Sequence, residues 1–251
     1  MIEFRNVTKD YNGQSVIAGH SFTIQAGELF VMVGQSGSGK TTTLKMINRL
    51  VEPTGGTILI EGQDSRALPL RAMRLEMGYV LQSIALFPNL TVRENIELIP
   101  EMKQWTTEQK REKGDSLLKK VGLEPAHYAD RYPHELSGGE QQRIGIVRAI
   151  ITEPKILLMD EPFSALDPIS REQLQQLTRQ LHEELGMTIV FVTHDMAEAL
   201  AIADRICVMR QGQIEQIATP QVIQATPATE YVEALFHSVE KGSERSVEFV
   251  D

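Results

Sequence analysis

The stretch GQSGSGKTT at residues 34–42 carries the residue types that hold a phosphate chain. Gly34, Gly37 and Gly39 let a backbone curl until successive N–H groups point at one anion. Lys40 can place an ammonium between β- and γ-phosphates, and the Thr41 hydroxyl can ligate the Mg²⁺ that bridges them. The apolar run Leu29-Phe30-Val31-Met32-Val33 leads in, and a helix-like run over residues 43–50 follows. Strand, glycine-rich loop and helix is the context this chemistry requires, because the helix adds its free N–H groups and the positive end of its dipole. A chance match of G-x4-G-K-[ST] in such a chain is roughly one in a hundred. The loop, comprising Gly34, Gln35, Ser36, Gly37, Ser38, Gly39, Lys40, Thr41 and Thr42, is therefore expected to bind ATP or GTP.

Two further stretches could act on a bound nucleotide. Ile156-Leu157-Leu158-Met159-Asp160-Glu161 is an apolar strand ending in paired carboxylates. Asp160 is suited to hold Mg²⁺, and Glu161, one residue on, to polarise an attacking water as general base. The bland alternative is two acids compensating a helix dipole. Leu136-Ser137-Gly138-Gly139-Glu140 reads as a second anion-binding helix start, with Ser137 as N-cap and the glycines leaving backbone N–H groups open.

The elements that must position these residues follow from pattern. Ile2, Phe4 and Val7 alternate with polar residues, Asn12-Gly13 offers a hairpin turn, and residues 15–26 read as a second strand. Residues 57–60 form a short strand, 66–76 a helix, and 77–82 a buried strand ending at Gln82. From about 87 to 137 strand signals vanish. Residues 91–99 and 107–121 have helical spacing, punctuated by Pro88, Pro100, Pro125 and Pro133. This is the pattern of a helical subdomain inserted into an α/β domain. The α/β pattern then resumes: helix 140–151, strand 155–159, a helix from Pro168 to Gly186, strand 188–192, helix 195–203, and paired strands 205–209 and 214–217. Short helices are expected around Val222 and Val232. The expected organisation is one domain over residues 1–237 and a polar tail over 238–251.

Composition narrows the class. Of 251 residues, 25 are basic and 34 acidic, a net charge of −9, which disfavours a binder of nucleic acid. The one cysteine, Cys207, lies in an apolar strand pattern, where a small buried residue is expected rather than a reactive thiol. No apolar run approaches the roughly 20 residues that span a bilayer. A cytoplasmic chain that reaches a membrane only by docking is the expectation.

Both phosphate motifs, LSGGE between them and the order of the rest resemble the ATPase subunit of an ATP-binding cassette transporter, from Met1 to about Ile217. That resemblance implies a P-loop NTPase core with a mainly parallel central sheet, an N-terminal antiparallel β subdomain and the inserted helices. It implies that Tyr11 stacks on adenine, that Gln82 reaches Mg²⁺ and the attacking water, and that His194 contacts the γ-phosphate. Asp167, in Ser164-Ala165-Leu166-Asp167, would link the two sites of a dimer. Two copies would face each other head to tail, with each ATP between residues 34–42 of one and Ser137, Gly138, Gly139 and Glu140 of the other. A separate membrane permease would dock near Gln82 and along residues 83–95, with a substrate-binding protein in the full complex. The stretches LKMINRL, MGYVLQSIALFPNLTVRENI and RYPHELSGGEQQR are similar to importer subunits for quaternary-amine osmoprotectants: glycine betaine, carnitine, choline. An importer of another small solute, such as an amino acid, stays open beside it. A non-transport cassette ATPase would need coiled coils or nucleic-acid domains that the sequence does not display. Relatives often append paired regulatory CBS domains; the few dozen residues after Ile217 are too few for such a pair.

Overall fold

A computed structural model describes residues 1–236. In chain order its strands and helices are β1 (Ile2–Tyr11), β2 (Gln14–Ile24), β3 (Leu29–Val33), α1 (Lys40–Ile47), β4 (Gly55–Ile60), β5 (Gln63–Asp64), α2 (Leu70–Leu75), β6 (Met77–Val80), α3 (Val92–Met102), α4 (Thr107–Lys120), α5 (Pro125–Tyr128) and α6 (Gly138–Ile150). There follow β7 (Ile156–Asp160), α7 (Pro168–Leu185), β8 (Thr188–Thr193), α8 (Met196–Ile202), β9 (Arg205–Arg210), β10 (Gln213–Ala218) and α9 (Pro220–Ala225). The fold class is α/β. The described residues divide into two compact units, 1–68 with 190–236, and 69–189. The polar tail expected over 238–251 lies outside the described residues.

The first unit holds an antiparallel sheet in the order β2-β1-β4-β5. Asn12 and Gly13 both take positive φ, 51° and 81°, which suits the tight turn between β1 and β2. Phe22 stacks on Phe4 at 4.5 Å and on Phe30 at 5.5 Å, so one aromatic column joins this sheet to β3. In a second, mixed sheet the order is β10-β9-β3-β8. Strand β3 runs parallel to β9, with Met32 opposite Cys207, and β9 runs antiparallel to β10. Every residue of β3 and β8 is buried, as apolar strands covered on both faces require. Burial pushes the Cys207 thiol up to about 12, so the expected inert cysteine is what the fold provides.

The second unit pairs β6 with β7 in parallel, Val80 opposite Met159. Its helices start on side-chain caps. Capping boxes join Thr91 with Glu94, Thr106 with Gln109 and Ser137 with Glu140, satisfying free N–H groups at the starts of α3, α4 and α6. Arg93 bonds Asp115 at 2.9 Å and so ties α3 to α4.

Some expectations are corrected. The helix expected over 66–76 is a short 3₁₀ turn at Ser65–Ala67 and then α2, because Pro69 forces extended geometry on the residue before it. Pro100 does not end α3. It sits in the last turn, where its missing N–H forfeits one bond, and the helix continues to Met102. The four-residue α5 and two-residue β5 are too short to leave a periodic signal. No helix among the described residues is long and apolar enough to cross a membrane.

Buried His20 ties the first unit together. Its Nε2–H donates to the Gly212 carbonyl at 3.0 Å, and its Nδ1 is buried without a partner among the described residues. Desolvation holds its pKa below the ordinary 6.5, outweighing the bond to Gly212. The unfolded chain therefore takes up a proton at a pH where the native ring stays neutral, so stability falls as pH drops from about 6.5 through the native value. Urea midpoints are expected to fall between about pH 7.5 and about pH 5.5, with a shallower fall in His20→Gln. Equal slopes in the two proteins would assign the pH dependence to other groups.

Candidate functional site

The phosphate loop follows buried β3 and ends where α1 begins. Gly34 could not be replaced without collision: a Cβ there would lie 2.1 Å from the Met209 carbonyl oxygen. Gly39 caps α1 at φ 100°, and its Cβ would meet Ile17 Cδ1 at 2.6 Å. The loop closes on itself where Ser38 N donates to Gln35 O at 3.2 Å. It is also braced from β9–β10, because Gly212 N donates to the Ser38 carbonyl at 3.1 Å. Gly212 O accepts from Ala18 N and His20 Nε2, so one turn links β2 to the loop.

Lys40 is buried, and its ammonium donates to Gly34 O at 2.7 Å and Gln35 O at 3.1 Å. Both of these acceptors are neutral loop carbonyls, so the ammonium is fixed at the phosphate loop itself. Gln35, Ser36 and Gly37 are exposed, Ser38 and Gly39 buried, and Thr41 and Thr42 half-buried at the helix start. Thr43 bonds Gly39 O through both its N–H and its hydroxyl, fixing the first turn of α1.

His194 lies exposed just after β8. Its flanks are pinned: the Thr193 hydroxyl donates to Glu198 at 2.5 Å and accepts from Asp195 N at 3.0 Å. Asp195 caps α8 through Ala197 N. Tyr11, 44% exposed at the end of β1, has the Lys9 ammonium 4.7 Å over its ring.

In the second unit, Asp160 is buried at the end of β7 and accepts from the Tyr79 hydroxyl at 3.5 Å. Burial first, then the Asp160 charge, hold that tyrosine well above its usual range, so it is a neutral donor. Glu161 follows at φ 44°, a left-handed conformation costly for a residue with a Cβ and characteristic of sites that must aim a side chain. Gln82 Nε2 donates to its Oε2 at 3.4 Å. The structure thus brings Asp160, Glu161 and Gln82 together at the ends of β7 and β6. Tyr79 was not singled out from sequence; its only signal is its place in β6, one strand over from Asp160.

Ser137 caps α6. Glu140 Oε2 accepts from Ser137 N at 2.8 Å and from Ser137 Oγ at 2.9 Å, and Ser137 Oγ accepts from Glu140 N at 3.3 Å. Ser137 and Gly138 are exposed, and a Cβ on Gly138 would meet nothing within 4 Å. Asp167 caps α7, accepting from Ser170 N at 3.0 Å.

The oxygen donors Thr41, Gln82 and Asp160 suit Mg²⁺ in type. Among the described residues, no group of three or more His, Cys, Asp or Glu is placed to hold a metal ion by itself.

Comparison with known proteins agrees with these motifs. Residues 17–164 match the family described as ABC transporter. Over 234 residues the chain is 50% identical to a carnitine transport ATP-binding protein, OpuCA, of Listeria monocytogenes, covering 93% of this chain and 59% of that one. It is 48% identical over 234 residues to the glycine betaine/carnitine/choline transport ATP-binding protein of Bacillus subtilis, covering 93% of this chain and 61% of that one. It thus spans about three fifths of the length of these relatives. A solved structure, the dimeric post-hydrolysis state of the ATP-binding cassette MJ0796 bound to ADP and Pi, superposes with a TM-score of 0.78 at 35% identity, covering 88% of this chain and 99% of that one. With the family match, the shared fold and both phosphate motifs in place, the chain belongs to the ABC transporter family.

Proposed function

We propose that the protein is the ATP-hydrolysing subunit of an importer for a quaternary-amine osmoprotectant such as glycine betaine, carnitine or choline. The observation that carries this is the 48–50% identity, over 93% of the chain, to ATP-binding proteins named for those solutes. ATP binds at residues 34–42, with Tyr11 against the adenine. Lys40 leaves its loop carbonyls for the β- and γ-phosphates. Thr41, Asp160 and Gln82 would hold Mg²⁺, which would supply charge neutralisation for the phosphates. Glu161 takes a proton from water as that water attacks the γ-phosphorus, the bond from the γ-phosphorus to the β–γ bridging oxygen breaks, and ADP leaves, with His194 orienting the γ-phosphate. Two copies close head to tail over two nucleotides, Ser137 and Gly138 of one facing the ATP of the other, with Asp167 between the sites. That the MJ0796 cassette is solved as a dimer bound to ADP and Pi supports pairing of two copies.

The permease docks on the second unit, at the cytoplasmic face of the membrane. A groove of about 380 Å³ there is lined by Tyr79, Leu81, Phe87, Leu98, Ile99 and Arg148, among others. Leu81 and Phe87 are exposed apolar residues, and Arg148 Nη1 donates to Ala85 O, holding one wall. An amphipathic helix from the permease fits such a surface. A substrate-binding protein or domain completes the importer.

Deleting the gene is expected to abolish osmotically stimulated uptake of at least one of labelled betaine, carnitine and choline. The wild-type gene restores it, and Phe87→Glu does not, while the purified Phe87→Glu subunit still hydrolyses ATP. If uptake of all three persists and another solute class is lost, the substrate assignment is wrong. If Phe87→Glu restores uptake fully, the permease docks elsewhere.

A further inference from the structure

The start of α6 carries one more polar group than its capping box needs. Glu140 Oε2 is occupied by Ser137, through N–H and hydroxyl. Glu140 Oε1 accepts a separate bond, from the Tyr128 hydroxyl at 2.7 Å. The Arg131 guanidinium lies 5.0 Å over the Tyr128 ring. Tyr128 is itself well anchored. Its N–H bonds Glu124 O, and the residues just after it are stitched to the start of α3: Arg93 N donates to Ala129 O at 2.9 Å and Val92 N to Arg131 O at 2.8 Å.

The consequence for an incoming phosphate is electrostatic. The free N–H groups of a helix start attract an anion, but an ionised carboxylate within one turn repels it. The Ser137 hydroxyl is also committed, since its proton points at Glu140 Oε2. For Ser137 to donate to a phosphate oxygen, Glu140 must release that proton. A hydrogen bond on Oε1 draws charge from the carboxylate and weakens its hold through Oε2. The Tyr128 hydroxyl, with smaller contributions from Ser137 and Arg131, holds the Glu140 carboxyl below its usual range, so the group is ionised when the phosphate arrives.

We propose that Tyr128 is a positioning residue for the Ser137 helix start. By holding Oε1 of Glu140 it fixes the carboxylate away from an approaching phosphate and eases transfer of the Ser137 hydroxyl to the γ-phosphate of ATP held by a second copy. This rests on the head-to-tail reading above and names a residue of its own. Tyr128 acts through Glu140.

The test uses Tyr128→Phe, which keeps the ring under Arg131 and removes only the hydroxyl. In a Glu161→Gln background, light scattering gives the ATP concentration for half-maximal dimer. Tyr128→Phe is expected to raise it about fivefold or more. Glu140→Gln keeps the capping box, because glutamine serves at that position, and removes the charge. Tyr128→Phe added to Glu140→Gln should then cost nothing further, a rescue that simple loosening of the fold would not give. An unchanged midpoint in Tyr128→Phe, or a deficit that persists with Glu140→Gln, overturns the proposal. Amide exchange at Ser137, read by NMR on the nucleotide-free monomer, decides the matter independently of dimer formation. It is expected to slow in Tyr128→Phe, because the carboxylate then holds the Ser137 N–H more tightly through Oε2, and an unchanged or faster rate overturns the positioning role. If the Glu161→Gln parent fails to dimerise with ATP, the head-to-tail reading falls, and the exchange rate alone upholds or overturns what Tyr128 does to Glu140 and Ser137.

Discussion

Glu161→Gln is expected to slow ATP turnover by on the order of 10² to 10⁴, the usual contribution of a positioned general base. The substitution keeps length and shape and removes the proton acceptor. The left-handed backbone at φ 44° strains glutamine and glutamate alike, so the folded structure should tolerate the change. Gln82, 3.4 Å from the carboxylate, keeps a partner in the new amide oxygen. Asp160, buried and bonded to Tyr79, is untouched. Nucleotide binding should survive, because Lys40 and the loop N–H groups do not change. The measured signature is therefore a collapse in the turnover number with a near-normal fluorescent-nucleotide titration. Turnover within a few-fold of wild type would move the base elsewhere, with His194 the next residue to test.

The groups that bear on this chemistry differed in how plainly the sequence displayed them. The phosphate loop was legible because its demands are local. Gly34 has no room for a Cβ beside Met209, Gly39 must turn at φ 100°, and the lysine must follow at once. These constraints fall within a few consecutive positions and leave a readable spacing. The buried strands β3, β7 and β8 were legible for a similar reason, as short unbroken apolar runs. Ser137 announced itself as an N-cap, while its capping box with Glu140 emerges only in the structure. What was not legible depends on partners remote in the chain. Tyr79 meets Asp160 across 81 positions, and Tyr128 meets Glu140 across 12. A single hydroxyl contact of that kind imposes no periodicity on either stretch. The misread helix over 66–76 has a different cause. Its apolar residues keep helical spacing, but Pro69 outweighs the pattern and splits it into a 3₁₀ turn and a short helix. Pro100 shows the opposite balance. Asn95, buried, holds the carbonyls of Phe87, Leu90 and Thr91 on its amide, so α3 is anchored firmly at its start and runs on through the proline.

The Glu161→Gln protein also provides the test of architecture. With hydrolysis blocked it is expected to collect with ATP as a dimer of about twice the subunit mass, since binding of nucleotide on both faces adds to the stability of the closed state. Adding Ser137→Glu should abolish that dimer. The new carboxylate would face the γ-phosphate held by the other copy, in an interface largely without water, where like charges repel strongly. Losing the serine cap costs about 1 kcal/mol, which α6 can bear. Its 13 residues keep Ile144, Ile146, Val147 and Ile150 buried, and Glu is not asked to fill space because Ser137 is exposed. Circular dichroism should therefore match the parent. Light scattering after size exclusion should give a monomer at saturating ATP, and a fluorescent-nucleotide titration should give the affinity of an ordinary monomer. Ser137→Ala, which removes the hydroxyl without adding charge, should weaken the dimer without abolishing it. If Ser137→Glu instead destroys nucleotide binding by the monomer, then Ser137 and Lys40 serve one nucleotide within a single chain, and the head-to-tail arrangement is wrong.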